Sequence, residues 1–222
     1  MPSCRRAFVL AALLAGFMSS AQAVRPPTAE EVAAFFRAVQ LDDVKTVERM
    51  VGAVVNANER NPAGGDTALV LALREEAPRV FSALLAHPGT DLEATAANGN
   101  TALMMAAFKR NKDAVEALLG KGAKSNRPGW TALHYAAAAG DDAIADLLIG
   151  RGAKVDALSP RQSGAYTPLM MAAREGHEST AVLLLRRGAN AKLKNSEGLS
   201  AAQIAERAGR AELAQAISGS KP

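Results

Sequence analysis

Thr131-Ala132-Leu133-His134-Tyr135-Ala136-Ala137-Ala138-Ala139-Gly140-Asp141 contains the start, body and end of one short helix. Threonine is a good N-cap, because its side-chain oxygen can accept from a free N–H of the first turn. The alanines are small, so a neighbouring helix can approach closely. Gly140 permits the tight turn into a following antiparallel helix. Outward from this stretch the same opening recurs: Thr67-Ala68-Leu69, Thr101-Ala102-Leu103, Thr167-Pro168-Leu169 and Ser200-Ala201-Ala202. The steps between successive openings are 34, 30, 36 and 33 residues. A fixed period in this range is the mark of a stacked repeat array.

The rest of the unit repeats in register. Small pairs follow each opening (Ala106-Ala107, Ala136-Ala137, Ala172-Ala173), and a turn follows at Arg110-Asn111, Gly140-Asp141, Gly176-His177 and Gly209-Arg210. A leucine-rich stretch then closes the unit, as in Leu118-Leu119 and Leu183-Leu184-Leu185. Ile144, Leu147 and Leu148 keep the helical spacing of a buried face. Gly122, Gly152 and Gly188 stand where a helix C-cap glycine belongs.

These motifs resemble the ankyrin repeat. Residues 131–141 are similar to the family opening T-P-L-H-x-A-A-x-x-G-H, and Thr167-Pro168-Leu169-Met170 with Gly176-His177 match the same frame. The match runs on through Leu183 to Asn190, and the resemblance covers about residues 66–217. It implies an all-α solenoid of about six helix-turn-helix repeats with β-turn fingers, built to bind another protein. The repeats fall at 66–99, 100–129, 130–165 and 166–198, with a C-terminal cap at 199–217. Residues 29–65 read as a degenerate N-terminal repeat, with Phe35, Phe36 and Val39 on its first helix and Val44, Val47, Met50 and Val51 on its second. Solenoid ends diverge in this way because each must show one polar face to water. Flexible ends are expected at 24–28 and 218–222.

Three departures from the frame stand out. Lys124 to Trp130 is a short linker, and Ser159 to Gly164 is an insertion. Such an insertion either drifts neutrally or extends a binding edge. Glu76-Ala77 replaces the Gly-His pair, and Arg110 stands where glycine is expected, so a distorted turn is expected at 76–77.

The N-terminus has the form of a secretory signal: Arg5-Arg6, an apolar run from Ala7 to Met18, and Ala21-Gln22-Ala23 as an A-x-A site. The run has 12 residues, against the roughly 20 needed to span a bilayer. Cleavage is expected after Ala23, giving a 1–23 signal peptide and a mature chain that neither enters a membrane nor retains Cys4, the only cysteine of the 222 residues. An export signal without disulfides points to a bacterial periplasm. Removing Arg5 and Arg6 leaves 24 basic and 22 acidic residues, net about +2, so the sequence pI of 9.4 overstates the charge of the mature chain. No run of Lys and Arg suggests nucleic acid. Nothing suggests an obligate dimer, so a monomer is expected.

No metal-ligand spacing, phosphate loop or nucleophile constellation occurs, so neither an enzyme nor a cofactor is expected. Acidic pairs such as Glu75-Glu76 and Asp141-Asp142 read as helix-start charges. The resemblance implies that His134 bonds between repeats. It places Arg74-Glu75, Phe108-Lys109, Ala138-Ala139, Arg174-Glu175 and Arg207-Ala208 on the concave face, with Asp66, Asn100, Trp130, Tyr166 and Leu199 at the turn tips and Met105, Tyr135 and Met171 on the first helices. Trp130, Tyr135 and Tyr166 are the single Trp and both Tyr of the chain, and aromatic and Arg side chains are enriched at interface hot spots. The candidate partner-binding set is therefore Trp130, Tyr135 and Tyr166 with Phe108, Lys109, Arg127, Arg161, Arg174, Met105 and Met171. A second reading stays open for the aromatics: Trp130 and Tyr166 cover a turn, and Tyr135 packs between helices. The same surface would serve an immunity or inhibitor partner of an exported toxin or enzyme, or an envelope-tethered scaffold.

Overall fold

The computed structural model describes residues 25–219. The expected leader, Val24 and residues 220–222 lie outside the described residues. Twelve α-helices and no strand occur among the described residues, as six consecutive pairs. The pairs are α1 (Ala29–Gln40) with α2 (Val44–Met50), α3 (Ala68–Arg74) with α4 (Pro78–Ala86), and α5 (Ala102–Phe108) with α6 (Lys112–Gly120). They continue as α7 (Ala132–Ala139) with α8 (Asp142–Gly150), α9 (Pro168–Glu175) with α10 (Glu178–Arg186), and α11 (Ala201–Arg207) with α12 (Ala211–Gly219). Each pair packs on itself, first helices stack on first helices throughout, and second helices stack on second helices except between α4 and α6, which stand apart.

The hydroxyls of Thr28, Thr67, Thr101, Thr167 and Ser200 each accept from the backbone N–H three residues on, which sets the start of every first helix but α7. Between first helices the contact surface is alanine: Ala106, Ala107, Ala136, Ala137, Ala172 and Ala173 are wholly buried. The second helices contribute Val47, Leu84, Leu118, Leu148 and Leu184, all at 0% exposure, one in each of the first five repeats. Burying a side chain of this size stabilises by about 1.5–3 kcal/mol. Phe35 and Phe36, edge to face with centroids 5.3 Å apart, fill the N-terminal repeat. Arg25, in the expected flexible N-terminus, bonds Glu31 at 2.8 Å, and Ser218 and Gly219, expected in the tail, continue α12.

The turn at 76–77 is strained but not distorted, which corrects the expectation. Asp42, Glu76 and Arg110 adopt φ of 52°, 56° and 56°, close to the 69° of Gly140. The turn bond survives in each: Ala77 N–H donates to Ala72 at 2.8 Å and Asn111 to Ala106 at 3.0 Å, as Asp141 does to Ala136 at 3.1 Å. A left-handed non-glycine residue is disfavoured by roughly 1–2 kcal/mol. Each of the three has a charged side chain reaching the next repeat: Asp42 to Arg79 at 2.9 Å, Glu76 to Lys109 at 2.7 Å, Arg110 to Asp141 at 3.6 Å. Asp42 does more, accepting from the Val80 N–H at 2.8 Å. This caps α4, whose own N-cap residue, Ala77, has no side chain able to do so.

Fingers connect the pairs. In four of them a backbone N–H closes on the carbonyl of the residue preceding the cap: Asn61 to Asp66 at 2.7 Å, Ala96 to Asn100 at 2.9 Å, Ser159 to Tyr166 at 2.9 Å and Asn195 to Leu199 at 2.9 Å. The short linker 124–130 is tied differently. Asn126 donates to Gly152 at 2.7 Å and accepts from Lys154 at 2.8 Å, while Arg127 donates to the Gly99 carbonyl at 3.0 Å. The insertion forms a 3-10 turn at Arg161–Ser163 and leans on the next finger, where Ser196 N–H donates to Gly164 at 2.9 Å.

Candidate functional site

The residue before each cap lies at the lip of its first helix, and the residue eight positions later lies one helix length away on the same face. In two repeats these two meet. Asp66 and Arg74 form an ion pair, with a bond of 2.8 Å from Arg74 Nη2 to Asp66 Oδ1. Burial holds the Asp66 carboxyl above the usual range even against the Arg74 charge. Tyr166 and Arg174 form the second pair, with the guanidinium 5.4 Å from the ring centroid, a cation–π arrangement. Of the two repeats between them, one carries Asn100 and Phe108 at these places, and the other Trp130 and Ala138. A methyl group cannot reach the indole, and the space is left open.

That space is a cavity of about 320 Å³ walled by Phe108, Trp130, Tyr135, Ala138, Met171 and Arg174, with His134 and Glu175 completing it. It draws on three consecutive repeats. Phe108 and Tyr135 stand edge to face at 6.1 Å and 88°, and Trp130 lies 6.2 Å from Tyr135. Phe108 is 53% exposed, so a large apolar ring faces water beside the opening. Such apolar exposure at a concave site marks interaction surfaces. A wider groove of about 800 Å³ runs along the turns at 76–78 and 109–114, but its charged Glu76 and Lys109 are paired with each other.

The floor is rigid. His134 Nε2–H donates to the Tyr166 carbonyl of the next repeat at 2.9 Å, while Nδ1 accepts from the Thr131 N–H at 3.2 Å and the Thr131 hydroxyl at 2.9 Å. That bonding pattern assigns the neutral Nε2–H tautomer. Burial lowers the His134 pKa to about 4, so the ring is uncharged at neutral pH. Trp130 rests edge-on against this imidazole at 5.3 Å. Tyr135 donates to Asn100 Oδ1 at 2.6 Å, which fixes its ring, and its pKa is raised by burial against the opposing effects of that bond and of the Arg127 charge.

Five members of the sequence-derived set thus line one cavity: Phe108, Trp130, Tyr135, Met171 and Arg174. The other five lie elsewhere. Tyr166 covers its own finger, its ring filling the space a side chain on Gly164 would need, and Arg174 caps it. Met105 is buried in the core, Lys109 turns to Glu76, Arg127 ties down the short linker, and Arg161 is exposed on the inserted turn. Selection by aromatic and Arg content passes over Ala138, Glu175, His134 and Asn100. The eight-residue pairing rule would have found Ala138 as the gap.

Models of ankyrin repeats match residues 35–128 and 84–159, and a single-repeat model matches 166–196. The chain belongs to the ankyrin-repeat family. Among curated proteins it is similar to protein glp-1 of Caenorhabditis elegans, 37% identical over 131 residues, 53% of this chain and 10% of that protein. It is also similar to SH3 and multiple ankyrin repeat domains protein 2 of Homo sapiens, 30% identical over 166 residues, 72% of this chain and 9% of that protein. Transient receptor potential cation channel subfamily A member 1 of Homo sapiens is 28% identical over 160 residues, 68% of this chain and 14% of that protein. The chain therefore spans roughly a tenth of the length of these relatives, and what it shares with them is the repeat array. Ankyrin repeats are protein-interaction modules and are generally non-enzymatic. Among the described residues no three His, Cys, Asp or Glu side chains gather as a metal site, and no helix is long and apolar enough to cross a membrane.

Proposed function

We propose that this ankyrin array binds a partner protein through the face formed by its first helices and fingers, with the cavity at Trp130, Tyr135 and Phe108 as the anchor. The observation that carries this is the 320 Å³ cavity itself, walled by three aromatic rings and opened to water by the small side chain of Ala138. Hot spots are aromatic-rich, central and set in pockets, and this pocket sits in the middle repeats. The array acts as a monomer, exported to a bacterial periplasm by the N-terminal signal and trimmed after Ala23. What supports that placement is the pattern of Arg5-Arg6, apolar run and Ala21-Gln22-Ala23, together with a mature chain free of cysteine.

Affinity capture from periplasmic extract with tagged chain starting at Val24, followed by mass spectrometry, tests the reading. A stoichiometric protein partner is expected with wild type and with a second-helix control, Arg186→Ala. It should be lost with Trp130→Ala combined with Tyr135→Ala. Equal recovery by the double variant would move the binding surface elsewhere on the array.

A further inference from the structure

The cavity's chemistry narrows what can enter it. Most of its polar groups are already engaged: the Tyr135 hydroxyl by Asn100, both ring nitrogens of His134 by Thr131 and Tyr166, and Arg174 by Glu175, while the Trp130 indole N–H makes no hydrogen bond among the described residues. A polar occupant would lose its water for one indole donor at most, which is unfavourable. What remains are aromatic rings, the Met171 thioether and the Ala138 methyl. The volume of about 320 Å³ is roughly twice the ~150 Å³ known to admit a benzene ring. One large side chain fits, with room for its stem.

Charge around the opening is uneven. Arg174 and Glu175 hold each other at 2.8 Å and cancel. Arg127 pairs with no carboxylate among the described residues. Its one hydrogen bond goes to the Gly99 carbonyl, next to Asn100, whose side chain holds the Tyr135 hydroxyl, and this sets the guanidinium on the Tyr135 side of the cavity. Outside the cavity, on that side, one positive charge has no carboxylate partner among the described residues, so an anionic neighbour is attracted there and a cationic one repelled.

On the protein-binding reading above, we infer that the cavity receives one large apolar side chain from a partner segment that carries a carboxylate beside it, and that this carboxylate pairs with Arg127. The apolar side chain supplies the burial, and Arg127 selects the register and charge of the segment. Arg127 keeps its bond to Gly99 through one nitrogen and offers the others, a geometry guanidinium groups use for carboxylates.

Trp130 is the single tryptophan of the chain, so its fluorescence reports occupancy directly. The probes are capped pentapeptides Gly-Asp-Phe-Asp-Gly, Gly-Ser-Phe-Ser-Gly, Gly-Lys-Phe-Lys-Gly and Gly-Asp-Ala-Asp-Gly, titrated into the chain starting at Val24. The acidic phenylalanine peptide should shift Trp130 emission saturably and bind about tenfold tighter than the lysine peptide at low salt, with the gap narrowing in high salt. Arg127→Ala should erase the acid preference while keeping the phenylalanine dependence. Ala138→Arg, which installs the residue already carried at the equivalent positions Arg74 and Arg174, should fill the cavity and abolish the shift with the thermal melt preserved. Tighter binding of the lysine peptide, an equal response to the alanine peptide, or no response at millimolar peptide would each overturn the inference. If the partner captured in the preceding experiment still depends on Trp130 and Tyr135, such a result removes only the proposed chemistry of the ligand and leaves protein binding intact.

Discussion

Gly140 and His177 are shaped for each other across a repeat boundary. His177 Nε2–H donates to the Ala138 carbonyl at 3.0 Å, and its ring occupies the space a side chain on Gly140 would need. Gly176 stands in the same relation to Arg210. In the first three repeats the relation is reversed: Asp42, Glu76 and Arg110 hold the left-handed position and reach forward to the next repeat. The turn thus carries either a charged side chain pointing forward or a glycine that admits a residue from the next repeat.

Gly140→Ala is expected to cost about 2 kcal/mol, combining the left-handed penalty with displacement of His177. Urea unfolding checks the value. A loss below about 0.5 kcal/mol would mean that the imidazole has another place to go.

The forward-reaching residues should not respond alike to glycine. Arg110→Gly removes an exposed pair at 3.6 Å worth little, while relieving the left-handed strain, so stability should stay within about 0.5 kcal/mol. Asp42→Gly removes the ion pair to Arg79 and the cap on Val80, at a cost of about 1–2 kcal/mol. Equal changes at both positions would contradict the capping role given to Asp42.

Tyr135→Phe should cost about 1 kcal/mol, because it leaves Asn100, 9% exposed, without its hydroxyl donor. In an Asn100→Ala background the same change should be nearly neutral. A double-mutant cycle with no coupling would show that the 2.6 Å bond contributes nothing to the site.

His134 gives the array a pH response with a definite sign. Its folded pKa of about 4 lies below the ordinary 6.5, so between these values the unfolded chain binds the proton and the folded chain does not. Stability should be full above pH 6.5 and fall as the pH drops toward 4, by about 3 kcal/mol at most. His134→Met, the residue that Met170 supplies at the equivalent place, should flatten the urea midpoint across this window. Carboxylates with lowered pKa values, such as Glu31 at about 2, act in a separate window below 4.5. An unchanged slope between pH 6.5 and 4.5 in the variant would refute the assignment to His134.

Repeat number and helix pairing are legible in the sequence, because Thr caps, alanine pairs and turn glycines each leave a local signature, and the bridging role of His134 follows from the family resemblance of its motif. The turns at Glu76 and Arg110 are not. The missing glycine reads as a distortion, and only the next repeat, with Lys109 and Asp141 in reach, shows how a left-handed side chain is accommodated. The cavity is half legible. Trp130, Tyr135, Phe108, Met171 and Arg174 can be picked by type and register. The space they enclose depends on Ala138 being too short to meet Trp130, which is a matter of side-chain reach across a helix and leaves no motif. Tyr166 shares the type but covers a turn, as the second reading of the aromatics allowed.

The proposed anchoring of a protein partner by the Trp130–Tyr135 cavity is read in the dissociation constant of the captured partner. Calorimetry should show Trp130→Ala with Tyr135→Ala weakening binding at least about 30-fold relative to wild type, the loss of one hot spot or more. A dissociation constant within about threefold of wild type, with the variant shown to be folded, would mean that the cavity is not the anchor.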